Sequence, residues 1–328
     1  MPYPIIDMHC DLLSYLNSAP NPDPQRKDAL GCSFPALAEG NVKLQVLAIY
    51  TATKKGSSEL GLNQSRIFKG LFSRYEKQVA LITPDNINDV PALPRIGLVA
   101  AIESGSGFCE EDEPLDSGFK KLEEIISNTE RVLYISMTHH TENRFGGGNF
   151  SKIGLKEDGK ALLNYINGRK IAIDFSHTSD ALAHGILEHL TKHSLDIPIL
   201  ASHSNYRPVF DHPRNLPDEL AKEVSTRGGV IGVNFVRAFI NDDEPEAMYD
   251  HIQYGLDLGG EDAVCMGADF FYTGEHPDQT RAPFYHVEHE SATCYPDILE
   301  EVLTRFSADI ANKLSRQNAF EFINRVWN

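Results

Sequence analysis

The chain has 328 residues, with 30 Lys and Arg against 47 Asp and Glu, a formal net charge of −17 that leaves out 13 histidines. A surface this acidic repels nucleic acid and anionic membranes, so neither is expected as a partner, and no apolar run approaches the ~20 residues that span a bilayer. Five scattered cysteines (Cys10, Cys32, Cys109, Cys265, Cys294) show no CxxC spacing, and the N-terminus has no basic region followed by an apolar stretch; both features read as a cytoplasmic protein with reduced thiols.

Short apolar runs rich in Val and Ile recur along the chain. They are IIDMHCD (5–11), KLQVLAIYTA (43–52), IGLVAAIES (96–104), RVLYISMTH (131–139), IAIDFSH (171–177), IPILASHS (197–204), GVIGVNF (229–235) and AVCMGADF (263–270). Helical periodicity lies between most of them, at 64–80, 119–127, 158–168, 179–193, 217–227 and 246–258. Within these, SDALAHGILEHL opens on a Ser N-cap signal. Near-continuous apolar strands alternating with helices predict a parallel sheet covered on both faces. Eight such units predict a (β/α)8 TIM barrel. The expected organisation is a single domain over 1–328, closed by helices at about 296–325. A doubly wound open sheet is the competitor, but no GxGxxG follows the first strand, and GGGNF (146–150) reads as a loop. Longer loops at about 17–40, 51–63, 141–157 and 271–293 are expected at one barrel face.

The C-terminal ends of the runs carry residues that strands do not need. These are His9 and Asp11, then Glu103, His139, His177, His203 and Asp269. In a (β/α)8 barrel all such ends converge on one mouth. Four imidazoles and three carboxylates buried together without a cation suffer desolvation and like-charge repulsion. A pair of divalent metal ions relieves both. Imidazole and carboxylate without thiolate suit Zn2+, and also Mn2+, Fe2+ or Co2+. Cys10, between His9 and Asp11, should face away from them.

Several segments together resemble the membrane (renal) dipeptidases, peptidase family M19 of the amidohydrolase superfamily, from about residue 5 to 325. DMHCDLL resembles the family's opening H-x-D, and AIESG its bridging-glutamate segment. SMTHH, GLKEDGKALLNYINGRKIAIDFSH, ASHS, HPRNLPDEL and GADF resemble segments that follow. The resemblance implies two Zn2+ ions: His9 and Asp11 on one, His177 and His203 on the other, and Glu103 bridging. It further implies hydrolysis of dipeptides, including L-Xaa-D-Xaa, by a metal-bridging hydroxide, the membrane-dipeptidase reaction type. Asp269 would take and pass on the proton, His139 would hydrogen-bond the carbonyl oxygen, and Arg214 would fork onto the substrate carboxylate. A homodimer is implied as well. The chain departs from the family pattern at Tyr15, at Phe271 where a second acid often stands, at 236–239, and at Gln317-Asn318.

Other readings stay open on the residues alone. One is an amidohydrolase acting on an N-acyl amino acid, a cyclic amide or a lactone. Another is a metal-bearing binding protein without catalysis. Residue by residue, Asp269 could cap the next segment, His139 could be a core histidine bonded to backbone, and Arg214 could pair on the surface near Asp211 or Asp218. His140 reads as a bystander.

Overall fold

The structure is a computed structural model that describes residues 3–274 and 276–328. In chain order the strands are β1 (Ile5–Cys10), β2 (Val42–Tyr50), β3 (Val79–Leu81), β4 (Ile96–Glu103), β5 (Val132–Ser136), β6 (Ala172–Asp174), β7 (Ile199–Leu200), β8 (Ile231–Val233) and β9 (Val264–Met266). All but β3 arise from the eight apolar runs. Every pairing is parallel, in the order β7-β6-β5-β4-β2-β1-β9-β8.

The two ends of that order meet. Ala201, just past β7, bridges Ile231 of β8. Ala201 N–H donates to Val230 O (2.8 Å), Gly232 N–H to Ala201 O (2.8 Å) and Ser204 N–H to Gly232 O (2.7 Å). This closure makes a (β/α)8 barrel and excludes the open sheet. It depends on two glycines. A Cβ on Gly232 or Gly267 would lie 2.0 or 2.1 Å from the Ser202 carbonyl oxygen, so only a bare Cα lets the strands approach.

Helices Leu115–Thr129, Glu157–Ile166, Asp180–His193, Asp218–Thr226 and Ala247–Asp257 fall within a few residues of the expected positions. Ser179 caps its helix as its sequence signal predicts, accepting from Leu182 N–H at 3.0 Å. The helix expected at 64–80 is instead Ser57–Arg74. Its opening serines read as loop residues. They are buried, and their hydroxyls donate to Ala52 O, Lys54 O and Glu110. The tail of that expectation is β3, which adds to the same edge of β4 that β5 uses further along.

One apolar cluster fills the barrel interior, including Ile6, Met8, Leu44, Val46, Val99 and Ala101. The same cluster contains Phe322, Ile323, Val326 and Trp327 of the last helix, Asn318–Trp327. That helix therefore plugs the N-terminal end of the barrel and leaves the opposite end as the mouth. Asn318 ties it in place, donating to Glu261 O (2.9 Å) and Val264 O (2.8 Å). Among the described residues no helix is long and apolar enough to cross a membrane.

Candidate metal centre

The strand ends deliver their polar residues with a common offset. His139, His177, His203 and Asp269 each stand three residues beyond the last residue of β5, β6, β7 and β9, while Glu103 is itself the last residue of β4. Three residues at these ends have left-handed backbone: Ser104 (φ 78°), His177 (φ 65°) and Asp269 (φ 62°). Such conformations cost on the order of 1–3 kcal/mol each for a residue with a Cβ, and they cluster where a site dictates geometry. Asp11 stands at the N-cap of helix Leu12–Ser18 but makes no capping bond, which leaves its carboxylate free for the mouth.

Glu103 is the centre of the arrangement. Its Oε1 lies 2.9 Å from His177 Nε2, 3.5 Å from His203 Nε2 and 3.8 Å from His139 Nε2. Its Oε2 lies 3.4 Å from His9 Nε2, which is also 3.8 Å from Asp269 Oδ1. Two donor groups share this carboxylate: His9 with Asp11, and His177 with His203, the donor atoms of each group within 4.8 Å of one another.

Hydrogen bonds fix which nitrogens face inward. Tyr134 gives its single hydroxyl proton to Met8 O (2.8 Å), so it must accept from His9 Nδ1 (2.8 Å), and His9 Nε2 carries a lone pair. Ser202 donates to Asp174 Oδ2 (2.6 Å), so its oxygen accepts from His203 Nδ1 (2.6 Å), and His203 Nε2 is likewise bare. That nitrogen lies 3.1 Å from His177 Nε2. Two buried carboxylates set up these contacts. Asp174 accepts from Ser136, Ser176 N–H, Ser202 N–H and Ser202 Oγ. Asp7 accepts from His9 N–H, Gln45, Ala268 N–H and Tyr295.

The electrostatics are unfavourable for the bare protein. Burial pushes the Glu103 carboxyl up to about 8, with Arg214 pulling it down and Asp174 adding to the rise. Burial raises Asp269 to about 7, with His9 pulling it back and Glu103 adding to the rise. Asp11 is raised as well, by burial and then by Glu103. Burial holds His177 and His203 well below the usual imidazole range. His9 Nε2, Asp11 Oδ1, Glu103 Oε1 and His177 Nδ1 are buried polar atoms with no hydrogen-bond partner. Imidazole nitrogens and raised carboxyls gathered in one buried place are what divalent cations satisfy. The donors fit two such ions: His9, Asp11 and Glu103 could hold one ion, and Glu103, His177 and His203 the other.

Around this core sit the remaining expected residues. Asn234 donates to Asp269 Oδ2 (2.8 Å), and no helix follows Asp269 to be capped. His139 is not a backbone-bonded core histidine; its ring stacks on His177 at 4.1 Å and its side chain is 21 % exposed. Arg214 is 3 % exposed and forms no ion pair with Asp211 or Asp218. It donates to Ser204 Oγ (3.1 Å) and His203 O (2.9 Å), while its Nε–H has no acceptor. The His140 ring lies 4.8 Å from His177 and 3.9 Å from His139.

Sequence reading overlooked Asp7, Tyr134, Asp174, Ser202 and Asn234. The one available signal was a carboxylate inside an apolar run, in IIDMH and again in IAIDFSH. Removing the Ser202 hydroxyl frees the His203 tautomer. Ser202→Ala is therefore expected to weaken metal binding by about 10- to 100-fold at the His203 ion, read by competition with a chromophoric chelator. Unchanged affinity would mean that the tautomer is held some other way.

Fold and site together define a (β/α)8 barrel whose mouth gathers candidate metal-binding His, Glu and Asp groups, the architecture of a metal-dependent hydrolase. The family model for membrane dipeptidase (peptidase family M19) matches residues 2–328, and the chain belongs to that family. It is 30 % identical over 190 residues to an uncharacterized protein in the pqqA 5′ region of Klebsiella pneumoniae, covering 53 % of this chain and 65 % of that one. It is 33 % identical over 148 residues to dipeptidase verJ of Clonostachys rogersoniana, covering 42 % of this chain and 36 % of that one. The chain thus spans less than two thirds of the length of these relatives. Among solved structures, it superposes on a metallo peptidase from Rhodobacter sphaeroides liganded with a phosphinate mimic of the dipeptide L-Ala-D-Ala, with a TM-score of 0.85, 18 % identity and full coverage of both chains. At that identity the likeness speaks for the fold.

Proposed function

We propose that this protein is a dinuclear zinc dipeptidase that cleaves dipeptides with a free C-terminal carboxylate, L-Xaa-D-Xaa among them. The observation that carries the reading is Glu103, whose two oxygens face two separate donor groups while the buried Arg214 guanidinium interacts with both Glu103 and Asp269. Family membership and the dipeptide-mimic complex of the Rhodobacter sphaeroides structure support it.

Bound at these donors, two zinc ions supply Lewis acidity that polarises the scissile carbonyl and acidifies water. The side chains then divide the remaining work. Arg214 offers its unpartnered Nε–H, and the free N–H groups of its fork, to the substrate carboxylate. Asp269 takes a proton at Oδ1 and returns it to the leaving amine. Asn234 holds the other oxygen and so aims Oδ1 at the mouth. His139, kept neutral by burial and by its neighbour His140, can donate an N–H to the developing oxyanion.

The test is hydrolysis of a panel of L,L- and L,D-dipeptides by metal-stripped protein before and after zinc is restored. Turnover should appear only with metal. Asp269→Asn should then lower kcat/KM by about 10³-fold while two metals remain bound. A protein that binds two metals and turns over no dipeptide would sink the proposal.

A further inference from the structure

One sector of the mouth is walled by rings that the chemistry above does not use. Phe150 is 59 % exposed, more than any other large apolar side chain among the described residues except Val287. It comes from the glycine-rich loop after β5 and stacks on His140 with ring centres 5.0 Å apart. His140 in turn lies against His139 and His177. On its other side Phe150 meets His212 edge-on at 6.1 Å, and His212 meets Phe239 at 5.0 Å. The Arg214 guanidinium carbon lies 5.5 Å from the Phe239 ring centre, and Arg214 N–H donates to His212 Nδ1 at 3.1 Å. The rings thus run in an unbroken arc from the metal-facing histidines to Arg214.

A substrate whose carboxylate sits on Arg214 and whose scissile carbon sits at Glu103 and Asp269 has its C-terminal residue inside this arc. Resting on the dipeptidase reading, we propose that the arc is the pocket for the C-terminal side chain. Phe150 is its outer, specificity-determining face, and the preferred substrates are dipeptides ending in a large apolar or aromatic residue. Burial holds His212 down to about 4, so its ring is uncharged at physiological pH. An exposed phenyl ring that a substrate covers gains the burial that the folded chain alone does not give it.

The experiment compares kcat/KM for Ala-Phe, Ala-Leu, Ala-Ala and Ala-Asp, in both C-terminal stereochemistries, with zinc-loaded wild type, Phe150→Ala and Phe150→Tyr. Ala-Phe should exceed Ala-Ala by about tenfold or more in the wild type. That ratio should fall to about two- to threefold in Phe150→Ala and persist in Phe150→Tyr, with metal content and melting temperature unmoved. Equal use of Ala-Phe and Ala-Ala, a preference for Ala-Asp, or a ratio that survives Phe150→Ala overturns the pocket while leaving the dipeptidase reading intact. Absence of turnover with every dipeptide overturns the reading beneath it.

Discussion

Glu103→Gln should be the most damaging conservative substitution in the protein, lowering dipeptide turnover by on the order of 10⁴-fold or more. The estimate follows from what is lost. A water free of cations has a pKa near 15.7, against about 7 when cations activate it. Gln keeps the volume and the position at the end of β4 but has one acceptor oxygen where Glu103 has two. Oε1 now faces His177 at 2.9 Å and Oε2 faces His9 at 3.4 Å, so the amide can serve only one side and turns an N–H₂ donor toward the other. Metal stoichiometry should therefore drop from two towards one. At neutral pH the bare variant should also melt higher than the bare wild type, because an amide needs no proton on folding, whereas a carboxyl pushed up to about 8 is ionised in the unfolded chain and must take one up in the fold. Metal analysis, steady-state kinetics and a thermal melt of the stripped protein read the three effects separately. A variant that keeps two metals and wild-type turnover would show that Glu103 does not bridge.

The sequence made the barrel legible because the eight runs are buried on both faces, and parallel strands covered by helices are apolar at nearly every position. It made the strand-end residues legible because an imidazole or carboxylate placed where an apolar run gives out has no packing role. β3 escaped notice. Three residues pairing only with the edge of β4 leave no periodicity, and they follow directly on a helical pattern. The positioning residues escaped for a different reason. Tyr134 is an ordinary strand residue in one dimension and becomes a tautomer-fixing partner only when β1 is laid across the barrel from β5; Ser202 becomes one only when Asp174 takes its hydroxyl proton. The placement of His140 against His177 was equally invisible, since a doublet of histidines does not say which ring turns inward. The serines opening helix Ser57–Arg74 mimic a loop because Ser57 bonds the turn before it and the Ser58 partner, Glu110, lies some fifty residues away in sequence.

The second large effect is on stability. The metal-stripped protein should lose stability as pH rises from 6.5 to 9, and zinc should remove that loss. Glu103 and Asp269 have folded values raised to about 8 and about 7 from 4.5 and 3.8. A raised carboxyl contributes its stability fully below its unfolded value and loses it as pH rises through the folded one. His139, His177 and His203 are depressed below 6.5, so their contribution is present above 6.5 and is lost as pH falls. Between pH 6.5 and 9 only the carboxyls titrate between the two states. Glu103 alone then costs about 2 kcal/mol, at 1.36 kcal/mol for each of the roughly 1.5 pH units up to its folded value. That is a fall of roughly 4 °C in melting temperature at about 2 °C per kcal/mol for a chain of this size. Zinc holds the carboxylates ionised and the imidazoles neutral, which reverses the sign. With free ion at about a thousand times each dissociation constant, two sites add about 8 kcal/mol, so zinc at pH 8.5 should raise the melting temperature by more than about 10 °C. The shift should be larger at pH 8.5 than at pH 6.5, because the bare protein is the state that weakens. Thermal melts of stripped and zinc-restored protein at the two pH values check this. A stripped protein whose melting temperature stays level or rises from pH 6.5 to 9 would mean that the buried carboxylates are compensated within the protein, and that the mouth does not depend on cations for its charge balance.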